Sequence, residues 1–323
     1  MADFFRVQNE GVPSTMVTRY EDMGDTSHAV VVSVDGSDVG LVAGTEVDLA
    51  AGAEVGLVAG TAVYLFDETG TAWGVRNVNG KIYALCKPYG YGVAEGNIAG
   101  ITPVRRFGHN EDVGTAEETV SHIGAVMYYP AAAETLKIKS DDTDDDGAPL
   151  GAGARTVWIQ GLDGSYGIIT DTITMNGTTA VDSNVDFLRV YKAKVMTAGA
   201  SGWNEGTITV YGADGTSKID SIDPFENESH SASFTVPANQ VVYIAELTIT
   251  SAGSKGAAIR LYTCESGGLF YLKRSYSIID TGMVITIGMP LKFTAETDIE
   301  MRAEGIIAGA VISAGFVGWR EAA

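Results

Sequence analysis

Cysteine is nearly absent from this 323-residue chain. Cys86 and Cys264 are its only thiols, and two cysteines so far apart build neither a disulfide framework nor a zinc site. Both are expected as buried thiols. Basic residues are also scarce: 21 Lys and Arg stand against 41 Asp and Glu, a formal charge of −20. That balance excludes a nucleic-acid binder built on a basic surface. Long hydrophobic runs are missing as well. The longest uncharged apolar stretch, residues 305–319, is broken by glycines and falls short of the ~20 residues of a membrane helix, so it reads as strand and turn and no membrane association is expected. The opening Met1-Ala2-Asp3-Phe4-Phe5-Arg6 holds no apolar core of signal-peptide length, and Sec export is not expected. Amphipathic helical periodicity is absent at any useful length.

Glycine is abundant instead, at 40 of 323 residues, roughly one in eight where about 7% is usual. The 45% hydrophobic content is enough to build a core. Together these describe an acidic, turn-rich β protein with three parts. Residues 1–32 show no sustained period, and Gly11-Val-Pro-Ser-Thr15 offers turn residues in place of a core face, so this part reads as an extended arm. Residues 33–100 form a small Gly-rich β module. In it Leu41-Val-Ala-Gly-Thr-Glu-Val-Asp48, Leu49-Ala-Ala-Gly-Ala-Glu-Val-Gly56 and Leu57-Val-Ala-Gly-Thr-Ala-Val-Tyr64 repeat every eight residues after a degenerate copy at 33–40. Each octad supplies a short strand and a Gly-permitted bend, with Val39, Val47, Val55 and Val63 at equivalent places. One octad cannot bury an apolar face alone. Its cover is either a meander within one subunit or copies on other chains.

Residues 101–323 read as a succession of short strands. The segments 155–160, 167–175, 186–195, 207–211, 241–250, 257–263, 269–274 and 298–303 are rich in β-branched and aromatic residues, and several alternate apolar with polar, the mark of one buried and one wet face. Asp163-Gly164, Asn176-Gly177 and Asp214-Gly215 suit tight hairpin turns. The fold expected is all-β, an antiparallel jelly-roll sandwich carrying the arm and the repeat module.

Chemistry is sparse. His28, His109, His122 and His230 are scattered, none with a second ligand at metal-site spacing. No nucleophile elbow, Walker loop or dinucleotide fingerprint occurs, and only chance carboxylate pairs are left to suggest a glycosidase or depolymerase; no enzyme is expected. Asp142, Asp144 and Asp146, followed by Gly147, match the first half of an EF-hand calcium loop, while Gly153 stands where the bidentate Glu belongs. The readings left are a solvated acidic loop or a surface calcium site; no other cofactor is expected. Tyr83, Tyr89, Tyr91, Tyr128 and Tyr129 lie in Gly- or Pro-punctuated stretches, where aromatics serve core and subunit packing or stack on sugars.

Two sets of segments resemble virion structural proteins of tailed bacteriophages. The first is Met16-Val-Thr-Arg-Tyr-Glu-Asp-Met-Gly-Asp-Thr-Ser-His-Ala-Val30. The second joins residues 107–120 (Phe107-Gly-His-Asn-Glu-Asp-Val), Val157-Trp-Ile-Gln-Gly-Leu-Asp163, residues 172–180, Phe187-Leu-Arg-Val190 and Leu291-Lys-Phe-Thr-Ala-Glu-Thr-Asp-Ile-Glu-Met-Arg302, and covers about residues 101–320. The resemblance implies a particle component made in the host cytoplasm. It suggests a capsid decoration, or cement, protein on the outer head surface, a homotrimer whose partners are the major capsid protein and further copies of itself. On that reading the contacts are Ala2, Asp3, Phe4, Phe5, Arg6, Val17, Arg19 and Tyr20 of the arm with Val39, Val47, Val55 and Val63 of the octads. A tail or head fibre recognising host surface glycans is the alternative.

Overall fold

The computed structural model describes residues 62–66, 72–78, 81–85, 89–96 and 98–323. The chain divides into two units, residues 1–86 and 87–323. In the first, β1 (Ala62–Phe66), β2 (Ala72–Val78) and β3 (Lys81–Leu85) form an antiparallel sheet in the order β1-β2-β3. The last octad runs into β1, which holds Val63. Val39, Val47, Val55, the arm contacts Ala2 to Tyr20 and Cys86 lie outside the described residues.

The second unit opens with one short helix, α1 (Tyr89–Ala94), and is otherwise strands and turns. It was expected to hold one sandwich, and it holds two hydrophobic cores. The chain lays down β4 (Thr102–Val113) and β5 (Glu118–Thr119), then leaves to build a complete inner sandwich. That consists of β6 (Glu134–Ser140), β7 (Ala154–Leu162), β8 (Ile168–Thr174), β9 (Val181–Phe187), β10 (Arg189–Ala198), β11 (Ile208–Tyr211) and β12 (Lys218–Ile222). It then returns through β13 (Ser233–Thr235), β14 (Gln240–Ala252), β15 (Ala257–Cys264), β16 (Tyr271–Ile278), β17 (Thr281–Phe293), β18 (Asp298–Gly305) and β19 (Ala310–Ala322). The first sandwich is therefore interrupted by the second.

The inserted sandwich pairs β10-β7-β8 against β12-β11-β6-β9, and the outer one pairs β13-β18-β15-β16, with β5 beside β18, against β17-β14-β19-β4. Alternation makes these strands. In β15 every second side chain from Ala257 is buried, placing Ile259 and Leu261 inside opposite Ala303 and Met301 of β18, each large side chain contributing about 1.5–3 kcal/mol of apolar burial. In β6 Leu136 and Ile138 do the same for the inserted core, with Ile159, Phe187 and Ile208.

The glycine-broken stretch at 305–319 proves to be mostly one long strand at the middle of its sheet, β19 between β14 and β4. Its glycines admit close neighbours: a Cβ at Gly318 would sit 1.8 Å from the Tyr243 carbonyl oxygen, and one at Gly315 would sit 2.3 Å from that of Arg106. Strands β4, β6, β12, β13 and β17 were not foreseen, and the expected strand at 186–195 is split at Leu188 between β9 and β10.

Candidate assembly surface

Each sandwich has a flank where two consecutive strands end opposite sheets. In the outer sandwich β16 closes one sheet and β17 closes the other, joined by a tight turn in which Asp280 takes φ 44°. Among the described residues both strands keep one side of their backbone ladder unpaired, the usual template for another strand. Their side chains are unusually bare. Leu269 (72% exposed), Leu272 (51%), Val284 (62%) and Met289 (84%) stand in solvent together with Tyr271 and Ile279. Ile285, Ile287 and Leu291 only partly cover the core beneath.

The local pairing explains the opening. Ile244 of β14 faces Leu291 and Glu246 faces Thr286, so residues 287–290 of β17 bulge against a single residue of β14. Pro290 within that bulge has no amide to donate, as suits an edge strand. Lys273, Arg274 and Lys292 decorate the flank. Lys273 lies over the Tyr271 ring at 5.8 Å and Lys292 over Tyr243 at 5.8 Å, and among the described residues no carboxylate forms an ion pair with any of the three. The residues from 269 to 293 hold these three cations and one acid, Asp280. An apolar, cationic strip on a chain of net charge −20 is suited to hold another surface.

The inserted sandwich has the corresponding flank in β8 and β9, also consecutive and also at the ends of opposite sheets. Here Asp171 bridges the two strands, accepting from the Asn184 amide at 2.6 Å and its side-chain nitrogen at 2.9 Å. Asp182 pairs with Lys137 at 2.7 Å and Asp186 accepts from the Thr135 hydroxyl at 2.7 Å. Residues 163–187 carry four acids and no Lys or Arg. Ile168 and Val185 are its exposed apolar side chains.

A polar joint fixes the two sandwiches to each other. Arg189 of β10 forks onto Asp298 of β18, with Nε–Oδ1 and Nη2–Oδ2 both 2.8 Å. Thr235 donates to the same carboxylate at 2.6 Å, and Arg189 also donates to the Pro130 and Leu188 carbonyls. Asp298 is 3% exposed, so the pair is desolvated and each charge needs the other. Tyr129 stacks under Arg189 and meets Phe270, which in turn lies under Arg302. Arg302 holds the buried Glu300 at 2.7 Å, whose other oxygen accepts from Thr119. Burial raises the Glu300 pKa against those favourable contacts.

A second element of the joint is a histidine cluster. The fold collects His109, His122 and His230, which the sequence scatters: ring centroids are 5.6 Å apart for His109 and His122 and 6.1 Å for His122 and His230. His122 Nδ1 lies 2.6 Å from Asp223, and its Nε2 lies 3.1 Å from Glu226, without hydrogen-bond alignment. Burial pulls the His122 pKa down, but the Asp223 hydrogen bond and the charges of Asp223, Glu226 and Glu111 outweigh it and raise it. Burial lowers that of His230. Close by, burial pushes Asp220 up to about 6, although Ser229 donates to it.

The acidic loop is organised around backbone amides. Asp142 accepts from the Asp144 amide, Asp146 from that of Ala148, and the fully buried Asp145 gathers Ala154, Glu205 and Gly206 amides with the Ser140 hydroxyl. Among the described residues no three His, Cys, Asp or Glu side chains are arranged to hold a metal ion. Of the tyrosines read as recognition candidates, Tyr129 is half-buried in the joint with its hydroxyl enclosed and Tyr128 is 37% exposed; Tyr83 lies in β3, and Tyr89 and Tyr91 lie in α1. Cys264 is buried as expected. An open cleft of about 160 Å³ lies between the sandwiches, lined by Arg105, Arg106, Gln160, Tyr191 and Arg320 among others, with no carboxylate, cysteine or histidine in its wall. Among the described residues no helix is long and apolar enough to cross a membrane.

Sequence reasoning missed the β16–β17 flank. Exposed and buried apolar strands read alike, and Pro290 was the one sign of an edge.

No protein-family model matches the chain, and no curated protein matches it. Among solved structures, infectious bursal disease virus, Gx strain, aligns at a TM-score of 0.18 and 10% identity, over 80% of this chain and 68% of that one. The VP2 subviral particle of the same virus aligns at 0.11 and 10%, over 69% and 80%. These similarities are too slight to assign a shared fold.

Proposed function

We propose that this chain is a structural component of a virus particle, a capsid decoration protein of a tailed bacteriophage that binds the outer head surface and reinforces the shell. The observation that carries this reading is the β16–β17 flank, an open, apolar, cationic double edge on a protein otherwise acidic. The phage-like segments at 16–30 and 107–302 supply the particle context. Such a protein works by area. Bound across neighbouring shell subunits, it adds binding free energy only to the assembled state and so shifts the balance away from disassembly under internal pressure. Its negative charge keeps unassembled copies soluble among host polyanions.

The major capsid protein and further copies of this chain are the partners, the arm and octads adding contacts of their own, and no reaction is assigned. Quantitative mass spectrometry of purified particles tests the reading. A copy number at parity with the major capsid protein, or a simple fraction of it, is expected, whereas a handful of copies per particle would overturn it.

One observation favours a second reading, host-glycan recognition by a fibre. Trp203 and Phe225 are 43% and 61% exposed and meet edge to face at 5.8 Å on the inserted sandwich, a pair of rings on which a sugar can stack. Glycan-array binding lost in Trp203→Ala would promote it.

A further inference from the structure

The β16–β17 flank presents unpaired backbone on both strands, apolar side chains at Leu272, Val284 and Met289, and the cations Lys273, Arg274 and Lys292. Its occupant must supply some apolar surface and negative charge. Pairing with an identical flank would set Lys273 and Arg274 of one copy near those of the next, and like charges facing across strands destabilise the pair. A two-fold contact of this flank with itself is therefore disfavoured.

The inserted sandwich supplies what is missing. Its β8–β9 flank also brings together the ends of two sheets, closed by the Asp171 bridge to Asn184 and presenting a polar, acidic face. It exposes Val185 and, at the wall of the cleft between the sandwiches, Ile168, and carries Asp163, Asp171, Asp182 and Asp186 with no Lys or Arg between 163 and 187. Lys137 compensates one of these charges; among the described residues the other three meet neutral donors, namely turn amides, Asn184 and Thr135. Residues 269–293 sum to three cations less one acid, +2, and residues 163–187 to −4.

We infer that the β16–β17 flank of one copy docks on the β8–β9 flank of a second copy of this chain. This rests on the reading of β16–β17 as an assembly surface and names its partner. The contact is heterologous: each copy offers one flank to one neighbour and the other flank to the next, so the assembly grows until rotation closes a ring. The expected homotrimer is the three-membered case. Apolar contact supplies the adhesion, while the opposite charges set register and exclude like-to-like pairing.

Charge reversal of the full-length protein, followed by sedimentation velocity at micromolar concentration, tests this. The wild-type chain should sediment as a closed oligomer. Lys273→Glu with Arg274→Glu should weaken association at least tenfold, and so should Asp182→Lys with Asp186→Lys. All four changes in one chain should restore the oligomer, because only a direct contact between the two flanks is rescued by exchanging their charges. All four side chains are on the surface, and unchanged circular dichroism and melting temperature confirm that the variants fold. An oligomer indifferent to either pair, or unrestored by the combination, overturns the docking while leaving the assembly surface itself standing. A monomeric wild type that still binds particles also ends self-docking and leaves the particle reading intact; a monomer that binds no particle ends both.

Discussion

The outer and inserted sandwiches share a construction and differ in how they finish it. Each runs two consecutive strands along one flank as the edges of opposite sheets, β16–β17 in one and β8–β9 in the other. On β8–β9 the exposed positions are Thr170, Thr172, Thr174, Asp182, Asn184 and Asp186 for the most part, charges and short polar groups that discourage strand addition. On β16–β17 they are Leu272, Val284 and Met289. A bare strand is tolerable when polar, and when apolar it marks a surface meant to be covered. The two flanks thus differ in what they offer a neighbour, a bare apolar edge on β16–β17 and a charged polar face on β8–β9.

The two sandwiches act as one unit only while the joint holds, and breaking it has the largest effect. Arg189→Met leaves Asp298 buried without its cation and should destabilise the chain by about 3–5 kcal/mol. Urea unfolding should then resolve two transitions, one per core, where the wild type shows one. A single unshifted transition would mean that the two cores do not depend on this pair.

Exchanging the character of the flanks should act on association and hardly on stability. Val284→Glu should change folding stability by no more than about 0.5 kcal/mol, as expected of surface sites, and should abolish oligomers and particle binding in sedimentation. Asp186→Leu should do the reverse and make the inserted flank prone to aggregation, read by light scattering.

The smallest effect is on pH dependence at the joint. Burial in the folded state raises the Asp220 pKa from the ordinary carboxylate range to about 6, so the folded state binds the extra proton. The resulting stabilisation is full below the unfolded value and is lost as pH rises through about 6. His122, also raised, acts in the same direction; His230, lowered, opposes both and costs stability as pH falls below its unfolded value. Asp220→Asn should therefore flatten the stability profile between pH 8 and pH 5 by about 1 kcal/mol, measured by chemical denaturation at each pH.

Much of the fold was legible in the sequence for local reasons. The Asn176-Gly177 and Asp214-Gly215 turns have their glycines at φ 54° and 70°, and at Asp163 the carboxylate caps the Ser165 and Gly167 amides. Strands such as 257–263 and 298–303 showed themselves by alternation. What alternation cannot express is which sheet a buried face meets, so two sandwiches read as one. The histidine cluster was hidden for a related reason: His109, His122 and His230 meet only because the chain returns to the outer sandwich after the insertion. The arginine fork joins Arg189 to a carboxylate 109 residues away, and nothing local to either residue announces it. The flank at 271–293 was obscured by composition, since Met283 to Leu291 is as apolar as any core strand.

Hydrogen exchange read by mass spectrometry, comparing the free protein with the protein bound to particles, tests the central claim most directly. Amides on the open sides of β16 and β17 between residues 271 and 293 should exchange freely in the free protein diluted below its association range and become protected on binding. Unchanged exchange across that segment, with protection appearing only elsewhere, would contradict the account.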